Sequence, residues 1–363
     1  MKEVFQPVIA GGQGTGYLSA GDHRPLSEHP FIGSRLNQQR VAALLKEAVT
    51  RCNLDLGGLN VLTEAATGAY AVTPVLAAMA NASHVYAITR ATRFGSVEDV
   101  IRETADLARY CGVEDRIQIR TERTSDLVSQ CDIVTNSGHL RPLGAELVSW
   151  LKPSAVISLM YETWELRSED VDIAACSQRG IQVAGVNELH PAVDIFSYLP
   201  MLAAKLLFES GIPVYGTRIL LLCDNSFAPY LTRGLSAVGA EVDTFQDLAS
   251  VPSSRHYDAL LVSMTPRKSP VISWPEACVL AERWPGIVVA QFYGDMDRAA
   301  LGKAGIRFWP MASPPAGHMG VHLTNIGPDA VIRLQAGGLK VGEILARGLA
   351  NASTEERDYV QLL

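Results

Sequence analysis

The sequence predicts an α/β fold: two doubly wound, parallel-sheet lobes joined by a hinge and a long helix. Three observations carry this expectation. From residue 58 onwards short apolar runs alternate with helix-spaced stretches, the pattern of consecutive βαβ units. The alternation stops at residues 211–216, Gly-Ile-Pro-Val-Tyr-Gly, and then resumes on a smaller scale. The chain has 363 residues, 48% of them hydrophobic, which is enough for two cores of ordinary size.

Residues 1–36 are rich in Gly, Pro and His and show little periodicity, as expected of a segment that wraps a surface or a partner subunit. The GGQGTG at 11–16 has the look of a phosphate loop, but GDHRPLSEHP with its two prolines follows it, not a helix. Residues 35–52 carry apolar positions at helical spacing and are expected to form the first helix. Strands are expected at 59–64, 84–89, 117–121, 131–135, 155–160 and 181–184, with helices between them, notably at 70–80 and 96–111. Residues 192–210 read as a long apolar helix interrupted by Pro200. The second lobe places strands at 219–222, 241–245, 258–263, 287–291 and 306–309. Residues 328–348 read as a closing helix despite Gly337 and Gly338 in its middle. The expected domains are an extension with the first helix (1–54), a first lobe with the interdomain helix (55–211), a second lobe (212–327) and a closing C-terminal helix (328–363).

A formal net charge of −7 argues against a general binder of nucleic acid or anionic membrane. No apolar run approaches the roughly 20 residues of a membrane span, and the N-terminus lacks the apolar core of a signal peptide. Six cysteines at 52, 111, 131, 176, 223 and 278 show no metal-binding spacing, so reduced thiols, a cytoplasmic protein and no metal site are expected.

The stretch 216–245 is built like the opening of a nucleotide-binding, Rossmann-like βαβ unit: apolar strand, short polar loop, helix, second strand. Such a loop normally reads G-x-G-x-x-G, because backbone must approach a pyrophosphate where a Cβ would collide. Here the glycine positions hold Cys223, Asn225 and Ala228. Cys223, Asp224, Asn225 and Ser226 are therefore the loop residues expected beside a cofactor, with Asp243 placed for a ribose and Thr265 at the next strand end. Carboxylates are equally ordinary at a strand end. In the first lobe, strand 59–64 runs into TEAATGAYAVTP with Gly68 alone, and the next strand ends in Thr89-Arg90-Ala91-Thr92-Arg93. A base with hydroxyls at that place is how NADP-preferring sites accept a 2′-phosphate. With a single glycine, a solvated arginine face is the preferred reading there.

Several side chains fall at strand ends, where open α/β sheets place their ligands. His139 and Arg141, in TNSGHLRPLG, would line a polar or anionic ligand, or form an ordinary solvated turn. Glu162 and Glu165, in MYETWELR, sit beside Tyr161 and Trp164, where desolvation would raise a carboxyl pKa. Pairing with Arg167 would instead leave them inert. Glu188 and His190 precede the long helix and could be simple entry residues. His318 lies on a Gly/Pro-bracketed loop, and an acid/base histidine needs a partner that sets its tautomer.

The order of these motifs resembles the D-isomer-specific 2-hydroxyacid dehydrogenases. Asp170, Asp172, Ala174, Ala175, Arg179, Gly180, Ile181, Val183, Ala192 and Val193 fall into step with that family's passage into its interdomain helix. GTRILLLCDNS, DALLVSMTP and GIVVAQFYGDMDRAAL then sit where the family has its dinucleotide loop, a small-polar-Pro turn and a catalytic turn; the likeness spans roughly residues 130–330. It implies an oxidoreductase using NAD or NADP on a small-molecule substrate in the interlobe cleft, and a homodimer paired through the second lobe. Among site residues it implies His318 as the catalytic histidine. The family's substrate-binding arginine is replaced by the neighbourhood Gln291-Phe292-Tyr293-Gly294, and its glutamate finds no counterpart in 307–311. Its Gly-x-Gly turn is replaced by Met160-Tyr161-Glu162. These departures point away from a simple 2-hydroxy acid. They leave open a non-redox enzyme or ligand-binding protein, or a structural pseudo-dehydrogenase, on the same scaffold.

Overall fold

The computed structural model describes residues 37–363, so the expectations for residues 1–36 lie outside the described residues. The first part of the chain runs α1 (Gln38–Arg51), β1 (Asn60–Glu64), α2 (Val72–Met79), β2 (His84–Ile88), α3 (Val97–Tyr110) and β3 (Ile117–Arg120). It continues through α4 (Ser125–Val128), β4 (Ile133–Thr135), α5 (Ala145–Trp150), β5 (Val156–Ser158), α6 (Ile173–Arg179) and β6 (Gln182–Val186). After α7 (Leu199–Glu209) come β7 (Arg218–Cys223), α8 (Ala228–Ala237), β8 (Glu241–Phe245) and β9 (Ala259–Ser263). Then follow α9 (Trp274–Arg283), β10 (Val288–Tyr293), α10 (Arg298–Lys303) and β11 (Arg307–Trp309). The chain closes with α11 (Asp329–Arg347), α12 (Thr354–Asp358) and β12 (Val360–Leu362).

The strands make two sheets, and their orders differ. The first is seven-stranded, β12-β6-β5-β4-β1-β2-β3, all parallel except the edge strand β12, which runs antiparallel to β6. The second is five-stranded and parallel, β11-β10-β9-β7-β8. Both sheets carry apolar layers on both faces, which is why their strands read as near-continuous apolar runs. This is the expected pair of Rossmann-like, doubly wound sheets.

Two elements differ from the sequence expectation. The helix expected over 192–210 begins only at Leu199, with Pro200 in its first turn and not breaking its middle. A proline costs nothing at that position, since the first-turn N–H groups have no intrahelical partner. Upstream, Val193 and Asp194 donate backbone N–H bonds to His190, and Asp194 takes a positive φ of 52°, so the chain turns there. The helix expected over 328–348 forms as α11, but the closing helix does not continue to residue 363. After α11 the chain reverses through α12 and adds β12 to the open edge of β6.

Helix α11 crosses the first sheet and is buried on nearly every side, from Ala330 to Leu345. Its glycines make this possible. A Cβ on Gly337 would lie 2.8 Å from Val186 and Val193, and one on Gly342 would lie 2.6 Å from Ile133 Cγ2. Glycine weakens a helix locally, but here it lets helix and sheet approach where a side chain would collide.

Candidate functional site

Parallel strands end at their carboxyl edges, and the residues beyond β1, β4, β5 and β10 carry most of the polar groups singled out from the sequence. Trp164, just beyond β5, meets Tyr293 at the end of β10 edge-on, with ring centroids 5.7 Å apart. The carboxyl edges of the two sheets therefore face one another, and this aromatic contact bridges the lobes.

At the reversal between β1 and β4 the groups are buried and tightly linked. Thr135 Oγ1 donates to Thr63 Oγ1 (2.9 Å) and lies 2.6 Å from Ser137 Oγ. Glu64, buried at the end of β1, accepts the His139 backbone N–H at 2.9 Å. The His139 ring is held through Nδ1 by the Ala65 carbonyl at 2.9 Å, which makes Nδ1 the protonated nitrogen and leaves Nε2 as acceptor. Arg141 contacts the buried Asp170 at 3.4 Å, and Asp170 also accepts the Tyr161 hydroxyl at 2.6 Å. Arg167 has no hydrogen-bonded or ion-paired partner among the described residues, so the pairing considered from sequence does not form there.

Glu162 is enclosed. Its Oε2 accepts Trp164 Nε1–H at 2.6 Å, and its Oε1 accepts Gln361 Nε2–H at 2.9 Å and the Glu188 backbone N–H at 3.3 Å. Such a carboxylate is spent on architecture: it fixes the Trp164 ring against Tyr293 and ties β12 to the β5 loop. Its charge acts on two neighbours. Burial and then the Glu162 charge push the Glu165 carboxyl up to about 7. Burial, then Glu165 and Glu162, raise the Glu188 carboxyl well above the ordinary range.

A carboxyl whose pKa is raised in the folded chain stabilises the fold while it is protonated. The Glu165 contribution is complete below the usual glutamate value of 4.5 and is lost as pH rises through about 7. The Tm of the wild-type protein is therefore expected to fall relative to a Glu165→Gln variant across that window. Parallel Tm curves for the two proteins in a thermal-shift pH series would contradict this.

His318 lies on the loop after β11, half-buried, with Nδ1 at 3.2 Å from the carbonyls of Pro315 and Ala316. No carboxylate among the described residues orients it. Its own loop does so, again leaving Nε2 as acceptor. The His322 ring close by has its pKa lowered by burial, then by the charges of His318 and of Arg93, which lies beyond β2 in the first lobe. Sequence reasoning overlooked Arg298 as the support of this loop. From the first turn of α10 it donates to Gln291 Oε1 (2.5 Å), the Pro310 carbonyl (3.2 Å) and Ser313 Oγ (3.2 Å). An arginine thus does return to β10, but its nitrogens are used within the protein. The only sequence signal was its place one residue after an N-cap aspartate, Asp297.

The second-lobe loop closes on itself. Asn225 donates from Nδ2 to the Ser263 carbonyl (3.0 Å), and its Oδ1 accepts the Phe227 N–H (3.1 Å) and the Cys223 thiol (3.3 Å). Asp224 accepts the Thr265 backbone N–H at 2.7 Å and Arg267 at 2.9 Å. Burial opposes ionisation of Asp224, but these donors outweigh it and hold its pKa below the usual carboxylate value. Asp243 is taken by Arg255 and by the Tyr257 hydroxyl. Ser226 and Thr265 are exposed. A pyrophosphate needs close approach to backbone, and here Cys223, Asn225 and Ala228 put side chains at all three glycine positions while Asn225 and Asp224 are committed within the lobe, so this loop does not fit a dinucleotide in its present form.

No protein-family model matches the chain, and no curated protein matches it. Solved structures do match. The dipicolinate synthase chain from Bacillus subtilis is 12% identical over 83% of this chain and all of that one, with a TM-score of 0.51. Its counterpart from Bacillus halodurans, also a dipicolinate synthase chain, is 11% identical over 82% of this chain and all of that one, with a TM-score of 0.50. The NAD-dependent formate dehydrogenase from Staphylococcus aureus, solved in complex with NAD, is 14% identical over 84% of this chain and 98% of that one, with a TM-score of 0.47. Likeness at such identities is a statement of fold. At that level the chain shares the fold of the dipicolinate synthase chains, and the two-sheet architecture implied by the resemblance read from the sequence is present.

Proposed function

We propose that the protein is an NAD(P)-dependent oxidoreductase acting on a small polar or anionic metabolite between the two carboxyl edges. The observation that supports this reading is the Trp164–Tyr293 contact, which joins the end of β10 to the loop beyond β5. Arg141 and Arg167 stand on the first-lobe side of the bridge, and His318 stands on a second-lobe loop. The cofactor would accept or supply the hydride. His318 Nε2 takes the substrate hydroxyl proton on oxidation and returns it on reduction, while the Pro315 and Ala316 carbonyls hold its tautomer. Arg141, oriented by Asp170, and His139 Nε2 receive the polar end of the substrate. Glu162 is a positioning residue that keeps the bridge in place. The protein is further read as a cytoplasmic homodimer, with support from its six unpaired thiols and from the fold likeness.

Titration with NAD(H) and NADP(H), followed by fluorescence and thermal shift, tests the cofactor class; no binding at millimolar concentrations would overturn it. His318→Ala is expected to lower kcat by about 10²–10⁴-fold, the contribution of a positioned acid/base, with cofactor affinity unchanged. Wild-type turnover in that variant would remove His318 from the mechanism. The closed second-lobe loop favours one alternative, a non-redox enzyme or ligand-binding protein on the same scaffold, and the same titration decides between the two.

A further inference from the structure

The resemblance places a dinucleotide on the second lobe, but the strand orders point to the first. A dinucleotide spans two mononucleotide halves that flank the reversal of a 3-2-1-4-5-6 sheet. The first sheet has that order, β3-β2-β1-β4-β5-β6, with β12 added at its edge. The second sheet has no strand beyond β8, so it lacks part of one half.

The loop after β1 also fits better than its second-lobe counterpart. Residues 66–71 read Ala-x-Gly-x-x-Ala, with glycine at the central position where backbone must approach a pyrophosphate, and alanine at the position that packs helix on strand. Gly68 has φ +64°, and a Cβ built there would meet nothing within 4 Å, so the outer side of the loop is open. Its N–H already faces an anion: it donates to Glu103 Oε2 at 2.9 Å. A phosphate would take the place of that carboxylate.

Beyond β2, about 20 residues past the glycine, a ribose-binding acid is expected in an NAD site. The chain has Thr89 and Arg90 there, then Arg93. Thr67 Oγ1 donates to the Phe94 carbonyl at 3.3 Å, and a Cβ on Gly95 would come within 2.9 Å of Thr67. The arginine loop is thereby fastened to the glycine loop. Phe94 is 72% exposed, with the Arg93 guanidinium 4.7 Å above its ring, an open aromatic and cationic surface. Two buried polar groups at the same carboxyl edge have no partner among the described residues: Thr89 Oγ1, and Asn136 Nδ2, whose amide oxygen accepts the Met160 N–H.

We infer that a dinucleotide of the NADP class binds across the carboxyl edge of the first sheet. Its pyrophosphate lies on the Ala66–Ala71 loop, and its 2′-phosphate is read by Arg90 and Arg93. This rests on the cofactor reading above and reverses the lobe that the resemblance would assign.

Calorimetry with NADP, NAD, 2′,5′-ADP and 5′-AMP tests it on the full chain. The 2′-phosphorylated members are expected to bind at least tenfold more tightly than their partners. The double variant Arg90→Ala/Arg93→Ala, made at the surface, should erase that difference and leave NAD affinity unchanged. Glu103→Gln should strengthen both dinucleotides several-fold, because it removes the negative charge that competes with phosphate for the Gly68 N–H. Ser226→Asp, which adds a carboxylate to the second-lobe loop, should change nothing. If NAD(P) binds and Ser226→Asp weakens it while the arginine variant does not, the lobe assignment falls and the cofactor reading survives. If neither dinucleotides nor fragments bind, both fall.

Discussion

Replacing Gly342 with leucine is expected to abolish accumulation of folded protein, although the substitution removes a helix-weakening glycine. In α11 a Cβ at this position would sit 2.6 Å from Ile133 Cγ2 and 3.4 Å from Ser158 Oγ. Ile133 is fully buried in a central strand and is β-branched, so it has no rotamer to retreat into. Overpacking by even a methyl group costs about 1–3 kcal/mol, and a leucine adds three more carbons to the same collision. Gly342→Ala should therefore lower Tm by several degrees, partly offset by the gain of up to about 1 kcal/mol in helix propensity. Gly338→Ala provides the contrast. Its Cβ would meet Met160 Sδ at 2.5 Å, part of an unbranched side chain that can repack, and the Leu159 carbonyl at 3.3 Å. That variant is expected to lose less stability than Gly342→Ala. Thermal unfolding of the pair checks the argument, and equal Tm losses would show that the rigidity of the neighbour is not what decides.

Removal of the Glu162 carboxylate is expected to have the second-largest effect, on stability and activity together. Glu162→Ala leaves Trp164 Nε1–H, Gln361 Nε2–H and the Glu188 N–H without this acceptor; Glu188 is buried, Gln361 half-buried and Trp164 exposed. A buried donor left unpaired costs about 1–3 kcal/mol, and the more exposed ones less, since water can replace the acceptor. Glu162→Gln is informative because an amide has one oxygen. It can serve Trp164 or the Gln361/Glu188 side, and its NH₂ then faces a donor on the other. A loss of about 1–3 kcal/mol is expected for glutamine and a larger one for alanine, both read from denaturant midpoints. Either change also removes the charge that helps hold Glu165 up, so the pH window in which the fold weakens should move downwards. Activity should fall with unchanged cofactor affinity, because the Trp164–Tyr293 contact loses its anchor and not its cofactor surface. A Glu162→Gln protein as stable as wild type would mean that the carboxylate does not hold the bridge.

Much of this protein is local, and that part was legible in the amino-acid sequence. The strands begin and end close to where alternating apolar runs placed them, because the two-residue and 3.6-residue periods are properties of short segments. The positions of His139, Arg141 and Glu162 just beyond β4 and β5 were legible for the same reason, whereas His318 lies nine residues past β11 on a loop. Pro200 misled because proline reads as an interruption in a linear pattern, whereas in three dimensions it starts α7. The edge strand β12 was invisible, since Val-Gln-Leu becomes a strand only where β6 offers an unpaired edge.

By itself the sequence determined that there are two parallel sheets and a set of polar residues near their carboxyl ends. Tertiary structure decided which of those residues are still free to act. Asp224, Asn225, Asp243 and Glu162 look available along the chain, but each is consumed by donors or acceptors that the fold packs against it, several of them far away in sequence. Tertiary structure also decided which lobe has the full 3-2-1-4-5-6 order. Strand order is set by pairing between segments tens of residues apart, as between β1 and β4, and no local periodicity encodes that pairing.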